Sequence, residues 1–361
     1  MSTQKIHSVI TGTGKYIPKR KITNADFQDT EFYTADARKL DKPGAEITQK
    51  FEEITTIAER RYVEDQWVTS DIATFAAREA LEDAGADPET LDYIIVAHNF
   101  GDVQPGSTRL DIVPSLAARV KHQLGIANPA TVAYDVIFGC PGWLQGVIQA
   151  DYYIRSGDAQ KVLVIGAETL SRVYDPHDRD GMLYADGAGA TLLEARETEA
   201  PVGILAHQSR SDTLVHSGML FMGHTFKPGE EHKDDLYLKM YGRKLYQYAL
   251  ENVPQAIKAC LDKTGIPLSD IKKVLIHQAN GKMDEAILVR LYQLYGMEPD
   301  SEEVMPMTIT WLGNSSVATL PTLYDILMRG EMEGHNLQAG DTIIFASVGA
   351  GMHINAAIYR L

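Results

Sequence analysis

Cysteine is almost missing from this chain: Cys140 and Cys260 are the only two in 361 residues. They allow at most one disulfide, which excludes a disulfide-stapled secreted scaffold and makes the cytoplasm the expected compartment. No apolar run approaches the ~20 residues that cross a bilayer, so no membrane insertion is expected. The opening stretch, MSTQKIHSVITGTG, lacks the basic start, apolar core and small-residue cleavage site of a signal peptide. Positive charge is also short, with 34 Lys and Arg against 49 Asp and Glu and a formal net charge of −15. Nucleic acid needs a concentrated basic surface and is not an expected partner. An acidic protein partner would need a local basic patch. Linkers rich in Pro, Gly or Ser are absent too, so any two halves share one body.

What is present suits a soluble globular protein: 44% hydrophobic and 23% charged residues, in a chain long enough for one large domain or two ordinary ones. The chain also resembles itself. ALEDAGADPETLDYIIVAHN (80–99) and CLDKTGIPLSDIKKVLIHQAN (260–280) share one grammar. A helix stops at a glycine (Gly85, Gly265), a proline-containing loop follows, and a buried strand ends in histidine. IRSGDAQKVLVIGAE (154–168) and LQAGDTIIFASVGAG (337–351) form a second pair, each preceded by a helix of similar length. Two pairs in the same order imply an internal duplication, with halves of roughly 1–195 and 200–361. Helices alternating with strands imply α/β layers with mostly parallel central strands.

One cysteine stands at a junction. In YDVIFGCPGWLQG (134–146) a strand-like run stops at Gly139, and a helix-like run starts at Pro141. A helix start carries about half a positive charge and unpaired N–H groups, which favour a thiolate. Gly139 and Gly142 leave room around the sulfur, and Pro141 suits the first helical turn. Cys260, within AIKACLDKTG, reads as a small buried apolar residue. His277 ends a buried strand, and Asn314, in GNSS, reads locally as the N-cap of the helix that follows. Taken singly, each has a plain structural alternative. All three fall at corresponding ends of duplicated elements, so a pseudo-twofold packing would bring them together.

The motifs ITGTGKYIP, TNADF, GCPG, DPHDRDGMLYADGAGATLLEA, HQAN, GNSS and VGAGMHINAAIYRL, in this order, resemble the thiolase-fold condensing enzymes, most closely the β-ketoacyl-acyl carrier protein synthase III group. The resemblance implies a thiolase-like α/β fold, its duplicated halves packed as an α-β-α-β-α body. It also implies decarboxylative Claisen condensation of an acyl thioester with a malonyl-type or β-ketoacyl carrier thioester. Cys140 becomes the acyl-accepting nucleophile, and His277 and Asn314 the pair that handles the second substrate. The oxyanion donors become the N–H groups of Cys140 and Ala350. Arg179 and Asn280 fall on substrate-channel positions, and Lys282 on a carrier-docking position, with Arg290 two turns further along the helix. Asp284 and Glu285 between them dilute that basic patch. Substrates are coenzyme A or phosphopantetheine thioesters, with no metal and no other cofactor. Acyl carrier protein is the expected partner and a homodimer the expected assembly.

The pattern departs in two places. Lys50 and Ile54 stand where the family grips the adenine of coenzyme A with tryptophan and arginine. Val113 replaces a phenylalanine that closes the partner subunit's acyl pocket, within the expanded stretch HNFGDVQPGSTRLDI. The first tells against acetyl-coenzyme A as the primer, and the smaller Val113 leaves room for a longer or bulkier acyl donor, in primary fatty-acid synthesis or in a secondary lipid, polyketide or resorcinol route. A cysteine thioester hydrolase or acyl transferase without condensation, and a non-catalytic scaffold, are the rival classes.

Overall fold

Stretches that are apolar throughout become central strands. YIIVA (Tyr93–Ala97) and KVLVIGAET (Lys161–Thr169) are buried almost end to end, as parallel strands covered on both faces must be. The structure, a computed structural model, describes residues 5–229 and 234–361. Residues 1–4, the start of the stretch read for a leader, lie outside the described residues.

In chain order the strands are β1 (Lys5–Tyr16), β2 (Arg20–Thr23), β3 (Glu59–Tyr62), β4 (Tyr93–Ala97), β5 (Val132–Val136), β6 (Lys161–Thr169), β7 (Asp186–Thr198), β8 (Gly203–Ser211), β9 (Leu220–Gly223), β10 (Tyr237–Met240), β11 (Ile271–Ile276), β12 (Thr342–Gly349) and β13 (His353–Arg360). The longer helices are α1 (Gly44–Thr55), α2 (Thr69–Ala84), α3 (Leu116–Leu124), α4 (Gly142–Ser156), α5 (Gly242–Asp262), α6 (Gly281–Gln293) and α7 (Thr319–Met328).

One sheet has the order β1-β7-β6-β4-β5, and the other, read from its far edge, β8-β13-β12-β11. In the first sheet β5, β4 and β6 are parallel, with β7 and β1 antiparallel to their neighbours; in the second β11 and β12 are parallel, with β13 and β8 antiparallel. The last strand of the first sheet, β7, runs to Thr198, and the first strand of the second begins at Gly203. Strand β5 has no counterpart and forms an edge.

Helices α2 and α3 cover the outer face of the first sheet and α5 and α6 that of the second, while α4 and α7 lie between the sheets. The middle layer fixes the site. Trp143 of α4 meets Phe345 of β12 edge-on at 5.6 Å, Tyr324 of α7 meets the same ring at 5.3 Å, and Tyr359 of β13 closes the group. Each such pair adds about 1 kcal/mol beyond area burial. The starts of α4 and α7 are thereby locked against the second sheet. Gly85 takes the left-handed conformation (φ 60°) as the C-cap of α2; α5 ends at Asp262, with Gly265 (φ 69°) in the turn beyond.

Candidate active site

Cys140 lies between β5 and α4, in the turn that makes Pro141 the N-cap and Gly142 the first helical residue. Space there is tight. A Cβ on Gly349 would stand 2.3 Å from the Cys140 nitrogen, and one on Gly139 2.6 Å from the Ala350 nitrogen. Glycine at both positions lets the loop after β12 press its backbone against the loop before α4, so that the Cys140 and Ala350 nitrogens each lie against the other loop's glycine. Gly139 and Gly351 adopt positive φ, whereas Ala350 does not, so its side chain carries no backbone strain.

The expectation of a helix-stabilised thiolate meets a stronger opposing effect. Burial pushes the Cys140 thiol up to about 11; the Ser316 hydroxyl, donating to Sγ at 3.3 Å, opposes the rise, and the Glu168 carboxylate adds to it. The resting group is a thiol.

His277 follows β11, its N–H extending the ladder to Ala346 O at 2.8 Å. The next side chain anchors the turn: Gln278 donates to Pro306 O and accepts from the Thr308 and Ile309 N–H groups at 2.7 and 2.9 Å. Asn280 then caps α6 by accepting from the Met283 N–H at 3.2 Å. The His277 ring is 2% exposed and bonds to the Ser316 backbone, while among the described residues its Nδ1 has no hydrogen-bond partner. Burial lowers the imidazole to about 4, so it is neutral at neutral pH.

Asn314 does not cap a long helix, because α7 begins only at Thr319. Its Oδ1 instead accepts from the Ser316 N–H at 2.9 Å, and its backbone bridges to Leu183 and Ala185. With Oδ1 engaged, the amide NH₂ is the end left to donate.

Cys140, His277, Asn314 and Ala350 line one cavity of about 900 Å³, together with Arg179 and Asn280. Its walls are mainly apolar, with Phe51, Leu183, Met222 and Leu238 among them, and Lys42, Lys50, Ile54 and Arg243 also border it. The ribbon β9–β10 supplies one wall and is pinned by Lys239, which is buried, paired with Asp175 and 3.5 Å from Asp178, with its ammonium over the Phe226 ring. The remaining candidates lie elsewhere. Lys282 and Arg290 are exposed on α6 and do not line the cavity, and Val113, 81% exposed, stands on an outer loop tied down by Arg119 to Asp102 and Asp111. Asp284 does not stand on the exposed face beside Lys282: it is fully buried, and burial holds its carboxyl well above the usual carboxylate range. Ser316, Asn99, Glu168 and the ribbon escaped the sequence reading. Only the second serine of GNSS gave any signal.

Two family models match the chain, 3-oxoacyl-[acyl-carrier-protein] synthase III over residues 134–213 and its C-terminal region over 261–361. A β-ketoacyl-[acyl-carrier-protein] synthase III of Cereibacter sphaeroides is 32% identical over 360 residues, covering 98% of this chain and 99% of the relative. The chain belongs to the synthase III family. The solved 3-oxoacyl-[acyl-carrier-protein] synthase III of Aquifex aeolicus superposes with a TM-score of 0.76 at 28% identity, covering 98% of this chain and all of that one. A priming β-ketosynthase from a polyketide biosynthetic pathway superposes with a TM-score of 0.80 at 25% identity, covering 100% and 98%. The enzyme therefore has the thiolase-like fold and is a condensing acyltransferase of fatty-acid biosynthesis or a related lipid or polyketide route. Among the described residues no helix is long and apolar enough to cross a membrane.

Proposed function

We propose that this synthase condenses an acyl group carried on Cys140 with a malonyl-type thioester. The observation that carries the reading is the meeting, in one largely apolar cavity, of a thiol, a neutral imidazole and an asparagine amide whose Oδ1 is engaged by backbone. The Cys140 sulfur attacks the thioester carbonyl, the oxyanion is met by the Cys140 and Ala350 N–H groups, and the departing thiol takes the cysteine proton. The malonyl thioester then loses carbon dioxide. His277 and Asn314 donate to its carbonyl oxygen as the enolate forms, and a neutral imidazole and an amide do so without titrating near pH 7. The enolate carbon attacks acyl-Cys140, releasing the β-ketoacyl thioester and the Cys140 thiolate, which takes a proton from solvent to return to the thiol. No step needs a metal or a redox group.

Arg179, with Lys42, Lys50 and Arg243, meets the phosphate end of a coenzyme A or phosphopantetheine thioester, and Lys282 receives an acidic carrier protein outside the mouth. Replacing the adenine grip by Lys50 and Ile54, in a cavity of this size, favours a carrier-bound or bulky acyl donor; the likeness to a polyketide priming enzyme supports the same choice. The working assembly is a cytoplasmic homodimer: β5 is an uncovered edge, and Leu110, Ile112 and Val113 expose apolar side chains from the adjacent loop. Intact-protein mass spectrometry after incubation with a panel of acyl-coenzyme A and acyl-carrier thioesters tests the reading. One acyl mass is expected on the wild type and none on Cys140→Ala. An adduct of equal extent on that variant contradicts it.

A further inference from the structure

The Cys140 sulfur is held by side chains that the condensation scheme leaves unused. Ser316 Oγ donates to it at 3.3 Å and in turn accepts from Asn99 Nδ2 at 3.3 Å. The same Asn99 amide donates to Glu168 Oε2 at 2.8 Å, and the Asn99 backbone N–H donates to Oε1 at 2.9 Å. Glu168 is 1% exposed near the end of β6, and Asn99 follows the end of the neighbouring parallel strand β4.

The direction of each bond follows from the chemistry of its partner. Burial raises the Glu168 carboxyl and the two Asn99 donors oppose the rise; because both its oxygens accept, it turns the NH₂ end of Asn99 toward itself. The second hydrogen of that NH₂ occupies a lone pair of Ser316, whose own hydrogen faces the sulfur at 3.3 Å, with the Glu168 carboxyl as its competing acceptor. Ser316 also holds a left-handed backbone (φ 53°), a conformation costly to any residue with a side chain, and one that puts its hydroxyl here.

We propose that Glu168, Asn99 and Ser316 form a directional hydrogen-bond relay that points a donor at Cys140 and so holds and activates the nucleophile, an inference that rests on the reading of Cys140 above. Ser316 touches the reacting atom; Asn99 and Glu168 are positioning residues. No proton travels along the chain. Each hydrogen stays on its own atom, and the relay favours the thiolate formed when the sulfur loses its proton. Glu168 acts in two opposite senses, since through space its charge disfavours that thiolate. The other titratable groups nearby are Tyr184, His98 behind Glu168, and His277 across the cavity.

The opposition makes the relay testable without any acyl substrate. Alkylation of Cys140 by iodoacetamide, followed by peptide mass spectrometry, reads the thiolate directly, with the fully buried Cys260 as internal control. Ser316→Gly removes the hydroxyl but tolerates positive φ, so the melting temperature should hold or rise. Alkylation at pH 8 should fall about tenfold, the effect of losing one donor to an anion, and its pH midpoint should move up. Glu168→Gln should also slow alkylation, because a carboxamide can no longer accept both Asn99 donors, whereas loss of charge alone would quicken it. Asn99→Ala, which keeps the Glu168 charge, should slow it as well and stands in should Glu168→Gln not fold. Slower alkylation in these folded variants supports the relay. Wild-type alkylation in Ser316→Gly, or unchanged or faster alkylation in Glu168→Gln, overturns it. Because no thioester takes part, the outcome is separate from whether the enzyme condenses malonyl.

Discussion

Two histidines close equivalent strands of the two sheets, and their surroundings differ. His98, after β4, is saturated: Nε2 pairs with Asp135 at 2.9 Å and Nδ1 accepts from the Gly101 N–H at 3.0 Å. Asp135 in turn receives the Leu116 and Ala117 N–H groups at the start of α3. His277, after β11, is equally buried but leaves Nδ1 unpartnered beside the cavity. The repeated grammar of the chain sets where a histidine stands; its neighbours decide whether both ring nitrogens are engaged or one is left open beside the cavity.

The largest effect should come from breaking that contrast. His277→Ala should lower condensation by about 10²-fold or more, the cost of a lost oxyanion-type donor, while the protein still folds. His98→Ala should instead cost about 1–3 kcal/mol of stability, since it takes one partner from Asp135 and leaves the buried Gly101 N–H without its acceptor, with turnover of the folded fraction within several-fold of wild type. Urea titration alongside steady-state assays separates the two. An equally steep loss of turnover in both variants would dissolve the distinction.

The second effect is a pH dependence. The His277 imidazole titrates near 6.5 in the unfolded chain and near 4 in the folded one. Its contribution to stability is therefore complete above about 6.5 and is lost as pH falls toward 4. His277→Asn should flatten the fall of the urea midpoint in that window; an unchanged profile would show that the buried ring is not kept neutral.

Smaller changes belong to α6. Lys282→Glu should raise KM for a carrier-bound thioester about threefold to tenfold, less at high salt, and leave a small N-acetylcysteamine thioester unaffected. Equal responses from both substrates would make Lys282 structural. Burial raises the Asp284 carboxyl, so its folded value lies above its unfolded one. Its stability contribution is therefore best at low pH and erodes as pH rises above the unfolded value. Asp284→Asn should add about 1 kcal/mol near neutrality with little change in KM, as chemical denaturation at pH 5 and pH 8 would show.

Much of this was legible in the chain. The buried strands, the glycine stops and the Cys140 junction are local signals, set by residue type and spacing. Burial was not. A carboxylate on a charged helix reads as solvated, yet Asp284 turns inward, and a helix start promises a thiolate, yet desolvation outweighs it at Cys140. Asn99 and Glu168 come from two strands 69 residues apart, and no spacing rule joins them. The step from Asn314 to the helix at Thr319 was hidden by the turn at Ser316, whose positive φ no serine advertises.

The central claim is that acylation belongs to Cys140 and enolate formation to His277 and Asn314. It is tested most directly by a chase. His277→Ala and Asn314→Ala are first loaded with the accepted acyl thioester, then mixed with malonyl-carrier thioester, and the acyl-enzyme is followed by intact mass. Both variants should load as the wild type does and then hold their acyl group, while the wild type discharges to β-ketoacyl product. Discharge at the wild-type rate in either variant would contradict the account.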